Sequence, residues 1–175
     1  NTYTKLEDPA IRDPILSLAR ANGIRANDVY QFDASRQTTR ISANVSGFLG
    51  TERISLNDNL LKRCSQEEIE AVMGHEIGHY VLDHVGESIL FFSLVLFLGF
   101  AFLRWSFGRV LAGRGERWGV RGISDVAGLP LLSLLLSGFF FVLTPITNSH
   151  IRSDECEADI FGLNASRRPD GFAEI

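Results

Sequence analysis

Two long apolar runs separate segments that mix polar and apolar residues. Residues 89–103 are apolar apart from one Ser and one Gly, and residues 126–143 carry no charge. A helix crosses a bilayer with about 20 mostly apolar residues, or about 17 at the short end. The second run has that length by itself and the first has it with its flanks. Runs rich in Phe and Leu and free of charge favour membrane over a buried hairpin in a soluble domain.

The segment before the first run has the patterns of a small mixed domain. Apolar residues recur at helical spacing over residues 9–22, and Gly23 fits the end of that helix. Three segments are typical of short strands, at residues 29–33, 38–45 and 53–56. The sequence therefore predicts a mainly α fold with a small β-sheet.

Residues 66–82 have the clearest signals of a helix. Ser65 and Glu68 have the spacing of a capping box, and no proline follows within the segment. Apolar residues recur at helical spacing at Ile69, Val72, Met73, Ile77 and Tyr80. Gly74 is unfavourable inside a helix, and we interpret it as leaving room for a substrate beside the next residue.

That helix carries the sequence His75-Glu76-Ile77-Gly78-His79. Residues four apart lie on one face of a helix, so both imidazoles can bind one zinc ion, with the intervening Glu as general base. We predict that His75 and His79 are zinc ligands and that Glu76 is catalytic. The alternative is a coincidental match, such as a pair of core histidines. A core pair has no need of a Glu directly after the first histidine.

A catalytic zinc site needs a third protein ligand and keeps a position for water. His84 is the nearest candidate, but it follows His79 by five residues where the extended metalloprotease pattern requires six. On a continuing helix it would lie half a turn from His75. We therefore interpret His84 as a surface or interfacial histidine.

The acidic stretch that starts at Asp154 offers a better third ligand. On a helix that runs to about Ser166, Glu155 and Asp159 are one turn apart, so both can be partly buried beside an apolar stripe. That stripe consists of Cys156, Ile160 and Leu163. We predict that Glu155 binds the metal and that Asp159 orients a ligating histidine. The alternative is a solvated acidic start of a helix.

The two motifs together resemble those of type I CAAX prenyl proteases and their HtpX-like relatives, which are membrane-embedded zinc peptidases. The chain has His75-Glu76-x-x-His79 followed by Glu155-x-x-Ala158-Asp159. Further matching positions are Ser35, Arg36, Asn44, Gly47, residues 54–58, Pro145, Asn148 and Arg152. The resemblance covers most of the chain. It implies a zincin-like metalloprotease core with a two-helix transmembrane hairpin, one Zn²⁺ per chain, and peptide substrates that are prenylated at the C-terminus in eukaryotic members.

The chain departs from the family pattern at a few positions outside the metal motifs. Val45 and Ser46 stand where the family usually has Ala and Tyr, and Ile151 stands where Ser is common. The chain ends at Ile175, before the further active-site His and Arg residues of the family. We interpret it as an internal fragment of a bacterial-type homologue.

The charge and the cysteine content of the chain argue against some kinds of binding partner and metal site. Residues 1–87 carry nine basic and thirteen acidic side chains, which argues against nucleic acid. Cys64 and Cys156 lack the C-x-x-C spacing, so they indicate neither a disulfide framework nor a sulfur-rich zinc site. The expected partners are a peptide or protein substrate and the lipid bilayer.

The predicted organisation has five segments. They are a membrane-peripheral domain at 1–87, a transmembrane helix at 88–103, an Arg-rich loop at 104–122, a second transmembrane helix at 123–146, and a helix with the third ligand at 147–175. The positive-inside rule keeps the Arg-rich loop in the cytoplasm and the zinc face outside it. The family resemblance implies the opposite orientation. The expected location is an integral membrane protein, of the inner membrane in a bacterium, with the side of the site open.

Two spans return a chain to its starting face, so residues 65–87 and 148–170 are expected on one side of the membrane and the Arg-rich loop on the other. The bilayer length and the need of Glu155 to reach the histidines give the same topology. Single cysteines at Asp83 and Arg114, in a Cys-free background, test it in sealed vesicles of one orientation. We expect an impermeant reagent to label one position only. Labelling of both would rule out the hairpin and favour a soluble protein.

The predicted activity is that of a zinc metalloendopeptidase in which Glu76 removes a proton from zinc-acidified water. An intramembrane protease is a rival, but residues 65–70 are too polar for hydrocarbon. A non-catalytic scaffold with a structural metal is a second rival, although such a site has no use for Glu76. A soluble zinc-binding protein of the same fold is the third, and detergent dependence of extraction separates it from a membrane protein.

Overall fold

A computed structural model of the chain describes residues 3–47 and 51–174. The chain divides into two compact units. The first contains the residues up to His84 together with those from Ser153 onward, and the second contains Val85–Arg152.

A four-stranded sheet lies in the first unit. Its strands are β1 (Tyr3–Lys5), β2 (Val29–Phe32), β3 (Ala43–Ser46) and β4 (Arg53–Asn57), in the spatial order β1-β2-β4-β3. The pair β2·β4 is parallel, and the pairs β1·β2 and β3·β4 are antiparallel. The edge strand β3 therefore has one strand partner among the described residues. The sequence did not predict β1, which has only three residues.

The strand predicted at 38–45 begins only at Ala43. Side chains of β4 and the following helix bind the backbone that precedes it. Asn57 Nδ2 donates to the Arg40 carbonyl at 2.7 Å, and Asn59 Nδ2 donates to the Thr38 carbonyl at 2.8 Å. These amides take the place of a neighbouring strand, so this part of the prediction was wrong.

Three helices of the first unit pack around one apolar core. They are α1 (Pro9–Ala21), α2 (Asp58–Arg63) and α3 (Gln66–Val81). Asp8 accepts a hydrogen bond from the Ala10 amide and caps α1, whereas Gly23 follows its end with φ +84°. Fully buried core side chains come from α1, β4 and α3 and include Ile15, Ile54, Leu56, Ile69, Met73 and Ile77. The predicted amphipathic helix at 9–22 is confirmed.

The helix α3 begins with the predicted capping box. The Glu68 amide donates to Ser65 Oγ, and the Ser65 amide donates in return to the Glu68 carboxylate. The helix ends at Val81, and Asp83 then adopts φ 57° in the left-handed region. A new helix begins at the very next residue, so only Leu82 and Asp83 separate the two helices.

Two long helices follow, α4 (His84–Trp118) and α5 (Leu129–Ser166), and both are long and apolar enough to cross a membrane. A short 3₁₀ turn at Val126–Gly128 precedes α5. Within the second unit the two helices contact each other, because the rings of Phe102 and Phe139 stack with centroids 5.5 Å apart. The prediction of a mainly α fold with a small sheet and two apolar helices is confirmed.

The structure differs from the predicted segments in two places. The Arg-rich segment is helical as far as Trp118, because Arg favours helices and the guanidinium groups of Arg109 and Arg114 lie over Trp105 and Trp118. The second apolar run and the helix with Glu155 form one continuous helix, α5, in spite of Pro145. A last short helix, α6, spans Pro169–Glu174.

Candidate metal centre

The helices α3 and α5 approach closely because small residues face each other. A Cβ added to Gly74 would lie 2.9 Å from the Gly162 carbonyl oxygen, and one added to Gly78 would lie 3.1 Å from that of Ala158. Real Cβ atoms essentially never come as close as 2.9 Å to another atom, and 3.1 Å is tighter than nine in ten of their contacts. Gly74 therefore makes room for a helix, and its interpretation as space for a substrate is not needed.

This packing predicts an effect of the substitution Gly162→Ala. The added Cβ would lie 2.7 Å from the His75 amide nitrogen and 2.9 Å from the Gly74 carbonyl carbon, so one backbone must move. Overpacking of this kind typically lowers the free energy of unfolding by about 1–3 kcal/mol. We expect a lower midpoint of thermal unfolding for the full-length protein in detergent, and weaker zinc binding.

Gly113→Ala is the matched control for this substitution. Gly113 also lies in a helix, but a Cβ there meets nothing within 4 Å. Alanine should stabilise that helix by about 0.8–1.0 kcal/mol. A Gly162→Ala protein that unfolds at or above the wild-type midpoint would contradict the close packing of α3 and α5.

Three side chains meet where α3 and α5 approach. His75 Nε2 and His79 Nε2 lie 3.0 Å apart. The carboxylate of Glu155 reaches both, with Oε2 at 3.5 Å from His75 Nε2 and Oε1 at 3.7 Å from His79 Nε2. One turn of α3 separates the histidines, and the helix that packs across it supplies the glutamate. The structure thus brings together three residues that the sequence predicted to act together.

The distances among these donor atoms fit a zinc ion. Ligands at about 2.0–2.2 Å in a tetrahedron lie roughly 3.3–3.6 Å from one another. The two histidine nitrogens are 3.0 Å apart, and one or the other oxygen of Glu155 lies 3.5 and 3.7 Å from them, so the observed separations bracket that range. Two imidazole nitrogens and one carboxylate oxygen are also the donor set of many catalytic zinc sites, which leave the fourth position for water.

Each histidine has a partner on its other ring nitrogen. His75 Nδ1 lies 2.7 Å from Asp159 Oδ1, so it donates its hydrogen to that carboxylate and leaves the lone pair on Nε2. His79 Nδ1 lies 2.8 Å from His84 Nδ1. Outer partners of this kind fix the tautomer and the ring orientation of metal-ligating histidines.

Electrostatics in the site favour metal binding and base chemistry. Burial and the neighbouring His75 lower the pKa of His79, against an opposing effect of Glu155, so its neutral form is favoured. Metal binding requires that neutral form. The pKa of Glu76 is raised, mainly because the side chain is buried. The neighbouring His75 lowers this pKa, and Glu155 raises it. A carboxylate with a raised pKa is a stronger base at neutral pH.

The face of α5 that packs inward is not the predicted one. Cys156, Ile160 and Leu163 are exposed, whereas Ala158 and Gly162 are buried. The side chains of Glu155 and Asp159 are 54% and 61% exposed, so the predicted partial burial of both was wrong. Only small residues fit where α5 packs closely against α3. Ala158 and Gly162 are such residues, and they lie on the side of α5 away from the predicted apolar stripe.

The interpretation of His84 as a surface or interfacial histidine was also wrong. Its residue exposure is 4%. The prediction assumed that α3 continues past Leu82, but Asp83 breaks the helix at φ 57°. Asp is one of the few residues that adopt this conformation with ease. An Asp directly after the predicted end of the helix was therefore the signal in the sequence that could have indicated the turn.

The short helix α6 packs against α3, and the loop before it is tied to the first turns of α3. Arg168 Nε lies 2.9 Å from Glu70 Oε2, and its Nη1 lies 3.2 Å from Glu67 Oε1. Phe172 lines a small cavity beside His75 and Asp159, together with Ala71 and Val72. The sequence did not predict these contacts, because they depend on how α6 returns to α3.

Comparison with known proteins gives consistent matches. Residues 5–174 match the model of Peptidase family M48. The chain is 34% identical over 163 residues to the uncharacterized metalloprotease YhfN of Bacillus subtilis. This match covers 93% of this chain and 38% of that protein. It is 28% identical over 170 residues to a CAAX prenyl protease 1 homolog of Oryza sativa. That match covers 97% of this chain and 40% of the rice protein.

The fold matches a solved structure as well. The crystal structure of S. mikatae Ste24p superposes with a TM-score of 0.70 and 24% identity, and the match covers 99% of this chain and 43% of that one. This likeness concerns the fold. The chain spans about two fifths of the length of the relatives it matches.

Proposed function

This chain belongs to peptidase family M48, and from that membership and the geometry of its metal centre we propose that it is part of an integral-membrane zinc metalloendopeptidase. One observation carries the proposal. Two imidazole nitrogens 3.0 Å apart each lie 3.5 or 3.7 Å from one of the two oxygens of the Glu155 carboxylate, and a partly buried glutamate lies between the two histidines in sequence.

His75, His79 and Glu155 would hold one zinc ion per chain. When bound there, zinc supplies Lewis-acid chemistry, because it acidifies water and polarises a carbonyl group. Asp159 keeps the hydrogen of His75 on Nδ1, 2.7 Å away, so that Nε2 stays available as a ligand. We therefore assign Asp159 a positioning role in the site.

Glu76 is the general base in this proposal. It follows the first ligand directly in α3, and its pKa is raised mainly by burial. The carboxylate accepts a proton from the attacking water and then donates it to the leaving amine as the peptide C–N bond breaks. A structural metal site needs no such base, so the position of Glu76 favours an enzyme over a scaffold.

The edge strand β3 offers a place for an extended peptide. Among the described residues it pairs with β4 alone, and sheet edges commonly bind peptides as an added strand. The hydroxyl of Tyr80 in α3 donates to the Gly47 carbonyl at 3.3 Å, which ties the end of this strand to the metal-binding helix. We propose residues 44–48 for this role, of which residue 48 lies outside the described range.

We propose spans at 88–103 and 123–146, which lie within α4 and around the start of α5 and include most of their apolar residues. The bilayer is then one partner and a peptide or protein the other. Several relatives carry the name CAAX prenyl protease 1, which makes peptides with a prenylated C-terminus the first substrates to test.

The proposed function is tested with the full-length protein in detergent. Matched peptides, with and without a prenylated C-terminal cysteine, are incubated with zinc-loaded protein, and products are identified by mass spectrometry. We expect internal peptide bonds to be cleaved, and faster in the prenylated series. Intact peptides in both series, with one zinc bound per chain, would contradict a peptidase.

A further inference from the structure

A third histidine lies against the candidate metal centre without being part of it. His84 is the first residue of α4, and its ring is packed edge-on against that of His79 with centroids 5.0 Å apart. Its Nδ1 lies 2.8 Å from His79 Nδ1. With a residue exposure of 4%, His84 is among the most buried polar residues of the described chain.

The hydrogen positions on this pair follow from the role of His79. If His79 binds metal through Nε2, its hydrogen sits on Nδ1, because a neutral imidazole carries only one. His79 Nδ1 then donates to His84 Nδ1, which must hold a lone pair. His84 carries its own hydrogen on Nε2, and Glu157 Oε2 lies 3.7 Å from that nitrogen.

We propose that His84 is a positioning residue that sets the tautomer and ring orientation of His79 for zinc binding, an inference that rests on the proposed zinc site. It does for His79 what Asp159 does for His75, with a neutral acceptor in place of a carboxylate. Outer partners of ligating histidines raise metal affinity by about 10–100-fold.

A role in core packing alone does not explain why a histidine occupies position 84. Its Nε2 is buried and makes no hydrogen bond to the described residues, and an unpaired buried polar group typically destabilises a protein by about 1–3 kcal/mol. A leucine or phenylalanine in that place would avoid this loss. The backbone also adopts the left-handed conformation at Asp83 immediately before it. Both features are explained if the imidazole has to face His79.

Two substitutions separate the acceptor from the bulk of the ring. His84→Asn keeps an acceptor oxygen at about the position of Nδ1, and His84→Phe keeps the ring but no acceptor. Both are made in the full-length protein, and zinc affinity is measured by competition with a chromophoric chelator. The visible spectrum of the cobalt-substituted protein reports ligand geometry independently of activity.

Ile69→Val serves as a stability control. Ile69 is buried in the core of the first unit, and Ile→Val typically lowers the free energy of unfolding by about 0.5–1.5 kcal/mol. Its zinc affinity is expected to equal that of the wild type. Thermal unfolding of each zinc-free variant shows how much of any change in affinity follows from lost stability.

We expect His84→Phe to weaken zinc binding about 10–100-fold and to change the cobalt spectrum, and His84→Asn to restore affinity to within about threefold of wild type. Equal affinity of His84→Phe and wild type would overturn the inference while leaving the zinc site intact. An Asn variant as weak as the Phe variant would also overturn it. A wild type that binds no zinc would instead overturn the proposed function itself.

Discussion

Glu76→Gln is expected to retain one zinc per chain and to lose about 10²–10⁴-fold in kcat for peptide cleavage, the usual contribution of general acid–base catalysis. Glutamine has nearly the same size and cannot accept the proton from water. Zinc remains because Glu76 is not among the converging donor atoms. Initial rates on an internally quenched peptide and zinc content by mass spectrometry measure the two effects separately.

Glu67→Gln is the matched control for this substitution. It removes the same charge from the same helix, at an exposed position whose side chain forms an ion pair with Arg168. Its kcat is expected to stay within about twofold of wild type, since surface changes alter stability only slightly. A Glu76→Gln protein that cleaves at the wild-type rate would show that another group is the base.

Glu155→Ala is expected to have the largest effect on the metal. It removes the carboxylate that faces both histidine nitrogens, at 3.5 and 3.7 Å. Loss of an outer partner weakens binding by about 10–100-fold, so loss of a direct ligand should exceed that range. Turnover should fall in parallel at limiting zinc. Isothermal titration of the zinc-free protein measures the affinity.

Glu157→Ala provides a close control, because the two glutamates lie two residues apart in α5 and are 54% and 59% exposed. The two substitutions change charge and helix propensity equally. Only Glu155→Ala should weaken zinc binding by more than about 100-fold. Equal zinc affinities of Glu155→Ala and wild type would exclude Glu155 as the third ligand.

Local patterns predicted the half of the site that lies on one helix. The capping box at Ser65 and the spacing of His75 and His79 depend on residues within a few positions of one another, and helix geometry alone places both imidazoles on one face. Glu155 and Asp159 lie about 80 residues further on. They were found because carboxylates one turn apart fit the roles of ligand and orienting group.

The remaining features depend on contacts between distant segments. The inward face of α5 is set by Ala158 and Gly162, because only small side chains allow α3 to approach. The prediction from hydrophobicity alone placed the stripe with Cys156 on the inward face, which is the opposite side of α5. The position of His84 follows from one backbone angle at Asp83, which a helical periodicity cannot reveal. A prediction from small residues at helical spacing on both helices would have identified the correct face.

Zinc titration of the metal-free full-length protein tests the central claim most directly. Protein stripped with a chelator is incubated with the peptide substrate while zinc is added in steps. We expect no cleavage without metal and a linear return of activity that stops at one zinc per chain. Full cleavage by the stripped protein, or activity that never returns although one zinc binds, would contradict it.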